Sequence, residues 1–340
     1  MIKFFRKIRQ NLLNKNKVGK YLVYAFGEIV LVIIGILIAL YLNKQSEQKQ
    51  TESKIDALFE NVLLELETDI KISTTRIYFY HRKDSIASLV LNTDLTYDDY
   101  TGKNSSAFRN LVFNRSPYGI SSTAYNVLIS NINNIPEKYS EAVRFLNTSH
   151  NIAQPLVDES NVAVKNLVDS NFTDLENNYE WFSKDINANN KKAINYFLND
   201  FKYKNKVLRY QKAAFSFRNT IENYRYAAST SYKEIATLLN KPYKNLDFII
   251  NDKMLEKYVG IYVNNLQPDQ SIEISYISNG PYPQMSYKGP KGQTFGVLPL
   301  KFSKEFSIEK IGIARFQENE KGLQLTIYRG HEATKYVKVK

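Results

Sequence analysis

Residues 21–42 read YLVYAFGEIVLVIIGILIALYL, twenty-two positions in which Glu28 is the sole charged side chain. At a helical rise of 1.5 Å per residue the stretch spans about 33 Å, enough to cross the hydrocarbon of a bilayer. A cleaved signal peptide has an apolar region of about 7–15 residues and a small-x-small cleavage site. Here the run is longer and leads into Leu40-Tyr41-Leu42-Asn43-Lys44, a poor cleavage site. The reading is one transmembrane helix over residues 21–42.

Charge around the span sets its direction. Lys3, Arg6, Lys7, Arg9, Lys15, Lys17 and Lys20 precede it with no acid among them, whereas residues 44–56 mix both signs. Basic flanks stay in the cytoplasm. Residues 1–20 are therefore expected there, able to touch anionic lipid, with residues 43–340 in the periplasm of a bacterial inner membrane. These seven cations also account for most of the net charge of +12, leaving +5 for the other 320 residues. So small a remainder argues against a nucleic-acid partner, which needs a basic face on the folded body. Two features lie inside the span. Gly27, Gly35 and Ala39 share one face, where a second helix or a second copy can approach closely. Glu28 is an intramembrane carboxyl, expected either to handle protons or to make a polar link to a partner helix.

Beyond the span the apolar period is helical. Ile55, Leu58, Phe59, Val62, Leu66 and Ile70 place an amphipathic helix over Gln50 to about Leu91, running straight out of the membrane. A polar stretch from Asn92 to Ser106 breaks it. A second helix is expected from Ser121 or Ser122, and another from Pro136, kinked past Pro155 and ending at Val168. The longest signal predicts one helix from Asn189 to Leu239, and no glycine occurs between Gly119 and Gly260. Helices of this length bury their stripes on one another, which predicts an extended antiparallel bundle over residues 43–242. The Tyr and Phe on these stripes read as core. His81 and His150 stand alone in sequence, so no metal site and no cofactor are expected.

After Lys241-Pro242 the pattern changes. Ile272, Ile274 and Tyr276 alternate with polar neighbours, as do Leu323, Leu325 and Ile327, and Val337 and Val339, between Gly-rich turns. Seven or eight short strands in residues 253–340 predict a small antiparallel β-barrel or sandwich. The fold class is α+β. The chain has no cysteine, which excludes disulfides and thiolate chemistry.

Two resemblances add to this. The run Leu255-Glu256-Lys257-Tyr258-Val259-Gly260-Ile261-Tyr262, with Leu298-Pro299-Leu300 and Tyr336-Val337-Lys338-Val339, resembles the small β accessory domain of β-lactamase-like serine hydrolases, without their catalytic domain. Ser46–Lys49 and Ser307–Lys310 have serine-to-lysine spacing but none of the further motifs those hydrolases need. Residues 1–9 and 24–40, with Ser122-Thr123-Ala124-Tyr125-Asn126-Val127-Leu128-Ile129-Ser130, resemble a family of uncharacterised single-span membrane proteins of Bacteroidota with a periplasmic helical region. That resemblance implies topology and source and no activity. Asn131-Ile132-Asn133 departs from its small-glycine turn.

With no catalytic residue to name, the expected function is a non-enzymatic, membrane-anchored periplasmic scaffold, adaptor or ligand-responsive protein. Its expected partners are membrane lipid and another protein in the membrane or periplasm. The alternative is a subunit of an ion-driven or transport complex that uses Glu28.

Overall fold

The computed structural model describes residues 18–103, 105–131, 135–184, 190–243, 255–277, 284–301, 304–308, 311–320, 322–329 and 332–339. Lys3, Arg6, Lys7, Arg9, Lys15 and Lys17 fall outside them, as do Ile132, Asn133, the turn at Asn279-Gly280-Pro281, and Lys310. The class is α+β, with a long N-terminal helix, further helices and a closed barrel.

Helix α1 runs unbroken over Val18–Asn92, joining the apolar stretch to the amphipathic helix beyond it. The continuity has a simple cause. Neither glycine nor proline occurs between Gly35 and Gly102, so nothing interrupts the hydrogen-bond ladder. Leu22, Val23, Phe26 and the large apolar side chains from Ile29 to Leu42 are exposed, Leu31 at 72 %, over a stretch long and apolar enough to cross a membrane. From Ile55 onward one row turns inward: Ile55, Phe59, Val62, Leu66, Ile70, Ser73, Ile77, Tyr80, Lys83, Ala87 and Val90 are all buried.

The expected polar break after Asn92 holds two short helices, α2 (Tyr97–Thr101) and α3 (Ser105–Arg109). Asp99 starts α2 by accepting the N–H and hydroxyl of Thr96 at 2.7 and 2.8 Å. Helix α4 (Thr123–Ser130) begins after Ser122 as expected, but Glu65 of α1 caps it, accepting from the Ala124 N–H at 3.0 Å. Next come α5 (Ser140–Asn147) and a π-helical turn at Thr148–Ala153. Pro155 lies in the first turn of α6 (Gln154–Asn178), where a missing N–H costs nothing, and α6 runs ten residues past Val168.

The single helix read over Asn189–Leu239 is two. Asn190 caps α7 (Lys191–Asn199), and Asp200 stops the run and caps α8 (Phe201–Leu238), accepting the Lys202 N–H at 2.8 Å. Along α8, Tyr203, Val207, Tyr210, Ala214, Phe217, Ile221, Tyr224, Ala228, Ser231 and Ile235 recur at fours and threes, every one buried. This row packs on α1. The pairs Asp84–Gln211, His81–Arg218, Thr74–Arg225 and Glu60–Lys241 run in opposite order along the two chains, so the helices are antiparallel.

The buried tyrosines tie down an irregular segment. Tyr203, Tyr210 and Tyr80 donate to the carbonyls of Phe108, Asn114 and Ser116 at 3.0, 2.8 and 3.0 Å. A phenylalanine would take a donor from each of these carbonyls, though the Phe108 carbonyl also accepts the Leu111 N–H at 3.3 Å.

Eight strands form the barrel: β1 (Gly260–Asn264), β2 (Ser271–Ile277), β3 (Gln284–Lys288), β4 (Thr294–Lys301), β5 (Glu305–Ile308), β6 (Gly312–Asn319), β7 (Gly322–Arg329) and β8 (Glu332–Lys338). Each pairs antiparallel with the next, and β8 closes on β1. An eight-stranded barrel has an interior just wide enough for side chains to fill. Tyr262, Met285, Tyr287, Phe306, Phe316, Leu325, Ile327 and Tyr336 fill it, with Tyr258 joining from before β1. Ile272 and Ile274 point inward as their alternation predicts. On β8 the inward residue is Tyr336, and Val339 is 60 % exposed. Gly312 has φ +154°, and a Cβ there would lie 1.9 Å from the Tyr328 carbonyl oxygen. Gly312→Ala is expected to cost the barrel at least about 1–3 kcal/mol of backbone strain, read as an earlier loss of the β signal in circular dichroism on heating. An unchanged melting curve would show that β6 and β7 part there at no cost.

Candidate functional site

One residue after the apolar row of α8, a second column carries Arg218, Glu222 and Arg225, following Phe217, Ile221 and Tyr224. These charges are only 2, 3 and 4 % exposed. Charges so deep persist only where partners hold them, and here the partners come from α1 and from the barrel.

Glu222 is the centre. Ser307 of β5 donates to its Oε1 at 2.7 Å, while Arg218 Nε and His81 Nε2 each stand 3.6 Å from the same atom. Arg218 also donates to His81 Nδ1 at 3.1 Å. Since Nδ1 accepts, His81 is the neutral tautomer with its proton on Nε2, facing Glu222. Burial and the Arg218 charge hold the histidine below its ordinary pKa. Burial pushes Glu222 up, but His81, Arg218 and Ser307 prevail and hold its carboxyl below the usual range. Asp84 on α1, which accepts from Gln211 at 2.9 Å, lies 3.8 Å from Arg218.

Arg225 makes the second link. It donates to Thr74 of α1 at 3.1 Å and to the Leu300 carbonyl of β4 at 2.8 Å, and burial lowers its pKa to about 10. Tyr78 of α1 makes the third, donating to Glu305 of β5, which also accepts from Arg315 of β6 at 2.8 Å. Leu300 belongs to the apolar core of the helices, and Ile313 packs against it. Three polar links and one apolar seam thus lock the β4–β6 side of the barrel onto α1 and α8. Ser307, whose serine-to-lysine spacing to Lys310 lacks the further hydrolase motifs, is engaged in this lock.

On the same turns of α1 a different face opens to solvent. Phe79, Arg82, Lys83 and Ile86 line a cleft of about 280 Å³, with Lys103, Ser106, Ala107, Asn110 and Asn114 opposite. A second cleft of similar volume shares Ser106 and Asn110 and is walled by Phe113, Phe172, Trp181, Phe182 and Phe197, with Arg109 at its edge.

The residues singled out in the sequence lie elsewhere. Glu28 is half-buried on α1, more than fifty residues before His81 and so about 80 Å away along the helix. A Cβ on Gly27 or Gly35 would meet nothing within 4 Å, and Ala39 is exposed, so this face is uncovered among the described residues. Lys20 lies on α1. His150 stacks on Tyr125 with ring centroids 4.1 Å apart and meets Gln154 at 3.1 Å. Among the described residues no group of three His, Asp or Glu side chains is placed to hold a metal. No protein-family model, no curated protein and no solved structure matches this chain.

Proposed function

We propose that the protein is a single-span, membrane-anchored, non-enzymatic scaffold or adaptor that holds a rigid helix-and-barrel body on the periplasmic side of a bacterial inner membrane. One observation carries the reading: α1 is a single helix whose first part exposes apolar side chains all round and whose later part is the central rod of the folded body. An anchor on a flexible tether would position its cargo loosely. An unjointed helix fixes the body's distance and direction from the bilayer. The lock at Glu222 and Arg225 extends that rigidity to the barrel, and the charges buried there are engaged in holding two units together. The seven cations before the span support the orientation.

The absence of cysteine makes the test clean. Single cysteines are introduced as Lys7→Cys and Glu320→Cys in the full chain, and cells with an opened outer membrane are treated with a membrane-impermeant maleimide. Glu320→Cys is expected to label at once and Lys7→Cys only after the inner membrane is broken. The reverse pattern, or release of the chain by an alkaline carbonate wash, refutes the reading.

A further inference from the structure

Lys83 occupies a position in the buried row of α1 where every neighbour on the row except Ser73 is apolar. It is 7 % exposed, and its ammonium donates to the carbonyls of Asn110 and Leu111 at 2.7 and 2.9 Å. The rings of Phe79 and Tyr210 lie 5.6 and 5.8 Å from it. A lysine used only to cap these carbonyls at the end of α3 is best left with no further positive charge nearby, because like charges raise the cost of burying it. The cleft does the opposite. Arg82 and Lys103 bring two more cations to it, and no carboxylate lines it among the described residues; Asp84, the nearest acid in sequence, is turned to Gln211 and Arg218. Burial, and then the Arg82 guanidinium, push Lys83 down to about 8.

Three cations, a serine hydroxyl and two asparagine amides around one small opening are the donor set for a multiply charged oxyanion. We propose that this cleft is a binding site for a phosphate group, with Lys83 as its buried floor and Arg82 and Lys103 as its rim. The cleft lies about 60 Å along α1 from Leu42, where the exposed apolar stretch ends. Headgroups of a bilayer around that stretch are out of reach, so the phosphate is that of a solute. This site stands apart from the scaffold reading, since a rigid body needs no such cleft.

The test uses the full-length chain in detergent micelles, titrated calorimetrically with inorganic phosphate and, separately, with acetate at equal ionic strength. The expected result is saturable binding of one phosphate per chain, at least tenfold weaker in the Arg82→Gln/Lys103→Gln variant and unchanged in Lys204→Gln, an exposed lysine on α8. Arg82 and Lys103 are exposed, so the double variant tests the site without disturbing the core; Lys83→Met then probes the floor. Non-saturating binding, equal affinity in the double variant, or acetate binding as tightly as phosphate would overturn the proposal.

Discussion

Glu222→Ala is expected to destabilise the helical body by about 3–5 kcal/mol, the usual consequence of removing one partner from a buried ion pair. The carboxylate is the acceptor toward which Arg218, His81 and Ser307 converge, and Arg218 is buried away from bulk solvent. Trp181 is the chain's one tryptophan and lies buried among the helices, so its fluorescence during urea unfolding reports on this body and not on the barrel. Ser307→Ala removes only the barrel's hydroxyl from the same carboxylate and is expected to cost about 1–3 kcal/mol. Were the alanine variant at 222 to unfold within about 1 kcal/mol of the parent, the cluster would not be holding the two units together.

A second large effect is expected at Asp69, and its sign is unusual for an acid. Its side chain is buried on α1, accepting from the Tyr224 hydroxyl at 3.1 Å and the Ser121 N–H at 3.2 Å. Burial raises its pKa to about 6; Tyr224 and Ser121 pull it down, and Glu65 pushes it up. A free aspartate titrates near 3.9, so between the two values the folded chain holds a proton that the unfolded chain has lost. Stability from this group is complete below about pH 4 and is lost as pH rises through 6, some two units or roughly 3 kcal/mol. Asp69→Asn is neutral throughout, and its amide oxygen can still accept from Tyr224 and Ser121. The variant is expected to match the parent near pH 4 and to exceed its stability by roughly 3 kcal/mol at pH 7.5. A difference that stays flat with pH, or that shrinks as pH rises, would show Asp69 to be ionised in the fold at little cost.

Local pattern carried most of the architecture. The apolar run, the three-and-four spacing and the alternating strands are each written within a few residues of one another, and the elements follow. Boundaries shifted where local detail decides: Asp200 splits a helix that periodicity alone continues, and a π-helical turn, which periodicity does not show, precedes Pro155. The lock and the cleft were not legible, because His81 and Arg218, or Glu222 and Ser307, meet only when elements far apart in the chain fold together. A weaker signal was present. Continuing the α1 row past Ile70 brings Ser73 and then Lys83 onto it, and the α8 row has charges one step beside it. Polar groups on a buried row are where local pattern and function part company.

Because α1 turns by about 100° with each residue, the compass bearing of the barrel around the axis of the exposed apolar stretch is set by a plain count of residues between Leu42 and Ile55. Lengthening that stretch by one would swing the barrel and the phosphate cleft a quarter-turn or more while leaving their own contacts intact. Lengthening it by seven would bring them back to within about 20° and raise them by some 10 Å. Whatever meets this body while the apolar stretch of α1 is held therefore meets it at one azimuth and one height, as a tooth meets a gear.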